Sequence, residues 1–154
     1  MKKERRKKEY DKKADNKKVK IAIIILFVIY CALMIILLLG RPMAAARDIS
    51  FIPFATTQKF FKMIGKGDPA GIAVALMNLL GNIIMFVPAG YMMPCIFRTQ
   101  RKFWVFILTF AGIIIVMETL QYFTARGTAD IDDLIFNLAG GTAGFYLGKL
   151  LKFF

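Results

Sequence analysis

The sequence predicts an all-α, polytopic membrane bundle: four transmembrane helices, a short interfacial amphipathic helix, and both termini cytoplasmic. Three observations carry that prediction. Hydrophobic residues make up 58% of the 154 and mean hydropathy is +0.58, too apolar for a soluble fold of this size. The apolar residues come in long blocks, as membrane spans do. Charge is segregated as well. The first twenty residues hold 11 Lys and Arg against four acids, within a chain of formal net charge +12. Length leaves room for one domain, so residues 1–18 are read as a basic cytoplasmic arm and 19–154 as the transmembrane domain.

The arm lacks apolar periodicity and is expected to be disordered or loosely helical. Its lysines invite a nucleic-acid reading. It holds one aromatic, Tyr10, and abuts a span directly, which favours a positive-inside anchor touching anionic lipid and no nucleic-acid partner. Residues 19–39 give about twenty consecutive apolar positions, enough to cross the hydrocarbon. A cleavable signal is the competing reading, because Ala44, Ala45 and Ala46 resemble a cleavage site. The apolar run is longer than a usual signal core, and Arg41 and Pro42 intervene.

Residues 54–64 place Lys59 and Lys62 on one stripe with Lys66, and Phe60, Phe61 and Ile64 off it. That spacing predicts an amphipathic helix in the interface, entered through Pro53 and released by Gly65 and Gly67; a partly ordered loop is the alternative. Residues 72–94 form the second span, with Asn78 and Asn82 at i, i+4 on one face and Pro88 expected to loosen its inner half. The connection 95–102 holds Arg98, Arg101 and Lys102 without an acid, and belongs inside. Residues 103–123 and 131–151 are the third and fourth spans. Lys149 and Lys152 put the last end inside. The first outer connection dissents, with five Lys and Arg against two Asp, but the larger N-terminal block sets the orientation.

In this topology polar residues far apart in sequence reach one depth, in the outer leaflet. Asn78 and Asn82 come from the second span, and Glu118 and Gln121 end the third. Asp130, Asp132, Asp133 and Asn137 open the fourth, after a loop with Arg126. Ionisable groups inside a membrane segment cost roughly 2.5–3.5 kcal/mol each on insertion scales and are rarely idle. Structural readings stand beside the functional ones. Asp130 and Asp132 suit helix capping, Arg126 and Glu118 suit mutual pairing, and the asparagines suit interhelical bonding. Gly140, Gly144 and Gly148 repeat every fourth residue, which lets another backbone approach.

The chain has no His, which removes imidazole base catalysis, the Ser-His-Asp triad and His-ligated metal sites. Cys31 and Cys95 lie at unmatched depths and are read as buried free thiols.

Five fragments resemble, in order, the VanZ-like membrane proteins. They are S-F-I-P-F at 50–54, N-L-L-G-N-I-I-M-F-V-P-A-G at 78–90 and E-T-L-Q at 118–121, then R-G-T-A-D-I-D-D at 126–133 and N-L-A-G-G-T-A-G at 137–144. Together they cover most of the chain beyond the first helix. The matching positions are Pro53, Asn78, Asn82, Pro88, Gly90, Glu118, Gln121, Arg126, Asp130, Asp132, Asp133, Asn137 and Gly140. The resemblance implies a small polytopic protein of the bacterial cytoplasmic membrane, whose namesake raises resistance to the lipoglycopeptide teicoplanin. The lysine arm is no part of that pattern.

Two functional expectations follow. The first is a binding site for a membrane lipid or lipid-linked cell-wall precursor, with Asn78, Asn82, Gln121, Arg126, Asp130, Asp132 and Asn137 as ligand-binding residues. Arg126, with Lys59 and Lys62, would hold a phosphate. The second is an enzyme on such a lipid, with Glu118 and Asp133 as acid and base and Mg²⁺ as a possible aid. Pro53, Pro88, Gly90, Gly140, Gly144 and Gly148 are expected to be structural. No metal-ligand spacing is evident, and oligomeric state is not encoded in any motif.

Overall fold

The computed structural model describes residues 2–40, 49–50, 53–67, 69–125 and 129–154, and apart from one two-residue strand pair their regular elements are helical. Helix α1 (Lys2–Leu39) runs unbroken for 38 residues. Of the two states expected for the arm, helix is the one found. Lys, Arg, Glu and Ala are strong helix formers, and neither Gly nor Pro interrupts 2–39. Among the residues whose side chains are described, α1 packs on the bundle core through one narrow stripe. Phe27, Tyr30 and Met34 pack half-buried against the core at the i, i+3, i+7 spacing of a single helical face. Ile25, Leu26, Val28 and Ile29 around them are more than half exposed.

Strand β1 (Ile49–Ser50) pairs in parallel with β2 (Ala129–Asp130), Ile49 opposite Ala129. Helix α2 (Ala55–Lys66) follows a turn at Pro53 and Phe54. It ends at Gly67, whose φ of 66° is the left-handed closure that glycine adopts without strain. Helix α3 (Pro69–Ile96) continues through Pro88 and Pro94. A 3₁₀ turn, Arg98–Arg101, leads into α4 (Phe103–Phe123), and α5 (Ile131–Leu150) follows β2.

The core is the seam of α3, α4 and α5. Phe106 and Ile114 are fully buried, and Phe110 and Phe145 nearly so. Phe106 sits 4.9 Å from Phe145 and 5.1 Å from Phe110, centroid to centroid, while Phe86 meets Phe110 edge-on at 6.0 Å. These are the separations at which aromatic rings attract beyond simple burial.

Helices α3 and α5 run parallel and nearly touch through their backbones. A Cβ on Gly140 would overlap the carbonyl of Ile83, one on Gly144 that of Val87, and one on Gly90 that of Gly141. The steps 83 to 87 and 140 to 144 are one turn each, so the small-residue pattern is the contact surface itself. Gly148 extends the line less tightly, against the rings of Phe154 and Tyr91.

The outside is apolar. Met77, Trp104 and Leu108 are about three-quarters exposed, an arrangement suited to lipid and costly in water. Among the described residues, three helices are long and apolar enough to cross a membrane: Lys17–Leu37 within α1, α3, and α4. The fourth expected span, α5, has the length, since 20 residues rise about 30 Å. Its composition sets it apart, because Asp132, Asp133, Asn137 and four glycines replace apolar residues.

Candidate functional site

A cavity of about 40 Å³ opens where α1, α3, α4 and α5 meet. Its polar lining comes from three helices: Asn82 of α3, Glu118 and Gln121 of α4, Asp133 and Asn137 of α5. The apolar wall is Met34 and Leu37 of α1, Met85 and Phe86 of α3, and Met117 of α4. Met34 and Leu37 belong to the closing turns of α1, so the cavity lies at the end of that helix remote from its lysine-rich start.

Helical spacing explains the convergence. Glu118 and Gln121 stand three apart and Asp133 and Asn137 four apart, so each pair shares a helix face. The close α3–α5 approach then brings Asn82 to Asp133, and the Asn82 amide Nδ2 donates to Asp133 Oδ1 at 2.5 Å. Gln121 and Asn137 are buried, at 6% and 4% exposure. Asn137 Oδ1 is buried and has no hydrogen-bond partner among the described residues, an uncommon condition for a polar atom removed from solvent.

The remaining expected residues occupy other places. Asp130 caps α5, its Oδ1 accepting from the Asp132 amide at 3.0 Å, as residues of its type do at helix starts. Asp132 has no exposed surface and accepts from the backbone amide of Phe54 at the start of α2. Phe54 adopts a φ of 62°, a conformation a bulky side chain avoids unless contacts hold it. Pro53 forms the turn that leads there. Asn78 is exposed and away from the cavity. One turn back from Asn82 on α3 corresponds to four residues back from Asp133, at Ala129, where α5 has not begun. Arg126 lies outside the described residues, as do the alanines at 44–46.

Pro88 is exposed within α3 and deprives the Ile84 carbonyl of its helical donor. On the adjoining residue, the Met85 carbonyl accepts from the Tyr30 hydroxyl of α1 at 2.8 Å. Sequence reading missed Tyr30, although a lone tyrosine within an apolar span is a signal that its hydroxyl needs a partner. It also missed Gln100, buried in the 3₁₀ turn, whose Nε2 donates to Thr109 Oγ1 at 3.3 Å.

Chemically, the cavity offers two carboxylates and three primary amides in an otherwise apolar surround. Among the described residues no group of three or more His, Cys, Asp or Glu is arranged to hold a metal ion. Two carboxylates remain the usual protein share of a Mg²⁺ site, which keeps several waters. A cavity of this size admits a few waters or the polar tip of a larger molecule, well below the roughly 300–1,000 Å³ that encloses a drug-sized ligand.

A helical membrane protein with a polar site buried between its helices is the class these features define. The family model of VanZ/LLP1 matches residues 24–152, and the chain belongs to that family. The match takes in every cavity residue and begins within α1, past the lysine-rich turns. No curated protein and no solved structure matches the chain.

Proposed function

We propose that the chain binds a cell-envelope lipid or lipid-linked wall precursor at the α1–α3–α4–α5 cavity and thereby lowers susceptibility to teicoplanin-type lipoglycopeptides. The observation supporting this reading is the meeting of Asn82, Glu118, Gln121, Asp133 and Asn137 in one cavity with an apolar wall. Polar groups at that depth are expensive to keep in a membrane and mark ligand sites by default. In the proposed topology α5 is the fourth span and both termini face the cytoplasm, as the Lys and Arg distribution favours. The cavity then belongs to the outer half of the bilayer of a bacterial cytoplasmic membrane, the side on which lipoglycopeptides act. A polar tip enters the cavity while the hydrocarbon of the ligand lies along α1. Binding alone suffices.

The presence of both Glu118 and Asp133 in the lining favours one second reading, an enzyme acting on such a lipid. With no His in the chain, these two carboxylates would serve as acid and base.

The test is teicoplanin susceptibility of a Gram-positive host expressing wild type, Glu118→Gln or Asp133→Asn, read beside membrane protein levels. Loss of protection at equal protein level is expected. A new lipid or precursor found by mass spectrometry only in wild-type cells would establish the enzyme, and graded loss without a new product the binder. Unchanged protection in both variants would remove the cavity from the function.

A further inference from the structure

We infer that two copies of the chain pair through the exposed face of α3, the Asn78 amides of the two copies bonding across a two-fold axis along the membrane normal. Val74, Asn78, Gly81 and Pro88 of α3 follow the i, i+4, i+7, i+14 spacing of a coiled-coil seam. The position between the last two, Met85, packs against the chain's own core. The turns before it are uncovered. Val74 is 60% exposed, Asn78 is exposed, and a Cβ on Gly81 would meet nothing within 4 Å.

Lipid tails alone would cover an apolar face, but they cannot satisfy an amide. Asn82, one turn on, donates to Asp133 at 2.5 Å, whereas Asn78 has no hydrogen bond to any described residue. Asn78 lies less than five residues from the middle of α3 (Pro69–Ile96), about 7 Å along a helix axis. With α3 crossing the membrane, that depth is well inside a hydrocarbon half-layer of about 15 Å. An Asn side chain lacks the long stem that lets Lys or Arg reach the headgroups from such a depth.

The occupant of this face must therefore bring a donor and an acceptor to the depth of Asn78. A primary amide carries both, in its carbonyl oxygen and its NH2 group, so it is complementary to itself. A second copy inserted the same way holds its own Asn78 at the same depth. A two-fold axis normal to the membrane then brings the two amides face to face. A single Asn at a seam position also fixes register, so Val74 of one copy lies opposite Val74 of the other. Gly81, three residues beyond Asn78, keeps the seam open where the helices meet.

The test uses the full-length chain in membranes, with Cys31 and Cys95 replaced by Ala. Oxidation is expected to cross-link Val74→Cys into a dimer and to leave Leu108→Cys, on α4 and 73% exposed, as monomer. Dimer affinity is read separately, by energy transfer between labelled copies in liposomes over a range of protein-to-lipid ratios. Asn78→Leu should weaken it about sevenfold, the scale of two membrane hydrogen bonds of average strength. Asn78→Gln, which keeps donor and acceptor, should stay within about twofold of wild type. Asn78 has no hydrogen bond within the described chain to lose, and the comparison of 74 with 108 leaves it unaltered. Wild type that stays monomeric at the highest protein-to-lipid ratio overturns the pairing, as does equal cross-linking at 74 and 108. A dimer untouched by Asn78→Leu overturns the part given to the amide. Cross-linking of Val74→Cys to a different protein overturns the second copy as occupant.

Discussion

Asp132 has no exposed surface and takes the Phe54 amide, while its neighbour Asp133 meets the Asn82 amide at the cavity. Successive residues on a helix point about 100° apart, so two adjacent carboxylates reach separate partners. Their substitutions should part accordingly. Asp132→Ala removes the acceptor that holds the start of α2 and should lower stability by about 1–3 kcal/mol, read as a reduced melting temperature in detergent. Asp133→Asn keeps the shape at the cavity and should leave that temperature within a degree or two while protection is lost. The meeting of Asn82, Glu118, Gln121, Asp133 and Asn137 in one cavity was legible in spacing and topology. The partner of Asp132 was not, because Phe54 stands 78 residues away and no local pattern encodes a backbone amide. Asn78 falls outside the cavity lining for a related reason: periodicity gives a face, but where the facing helix begins decides which residues on that face have company.

Among the helices, α3 and α5 depend on glycine more than on apolar bulk. Gly144→Val would drive a side chain into the Val87 carbonyl and should separate the helices, giving a protein that inserts but unfolds at markedly lower temperature. Gly81→Ala and Gly112→Ala are the matched controls, since a Cβ at either meets nothing within 4 Å. Alanine there should be neutral or stabilising by up to about 1 kcal/mol. Helix α1 is held differently, by one aromatic stripe and the Tyr30 bond to Met85. Tyr30→Phe should cost roughly 0.6 kcal/mol, the average for a hydrogen bond between membrane helices. A thermal-shift assay on purified protein would register the loss.

For the molecule as a whole, the helical class and the order and approximate limits of the apolar helices after α1 could be read in advance. Apolar block lengths gave 103–123 for α4, and 72–94 for the helix observed at Pro69–Ile96. The extension of α1 down to Lys2 was harder to foresee, since a run of charges is compatible with helix and with coil. The cavity volume and its wall of methionines were beyond sequence reasoning, because voids arise from how several helices fit together.

The composition of α5 bears on how the protein is made. By length and composition Lys17–Leu37 of α1, together with α3 and α4, are apolar enough to cross a membrane, and helices of that kind are expected to insert on their own account. α5 bears two aspartates and an asparagine in its first turns and four glycines after them, and its favourable surroundings are the groove of α3. If α5 is the fourth span of the proposed topology, sequential biogenesis is expected, with α3 already in the bilayer as the receptor for a less apolar helix. Fused by itself to a glycosylation reporter, α5 should fail to integrate, and co-translation with residues 1–125 should rescue it. A cell that degrades unassembled spans would thus sense a faulty α3 groove through an orphaned α5, before any ligand is met.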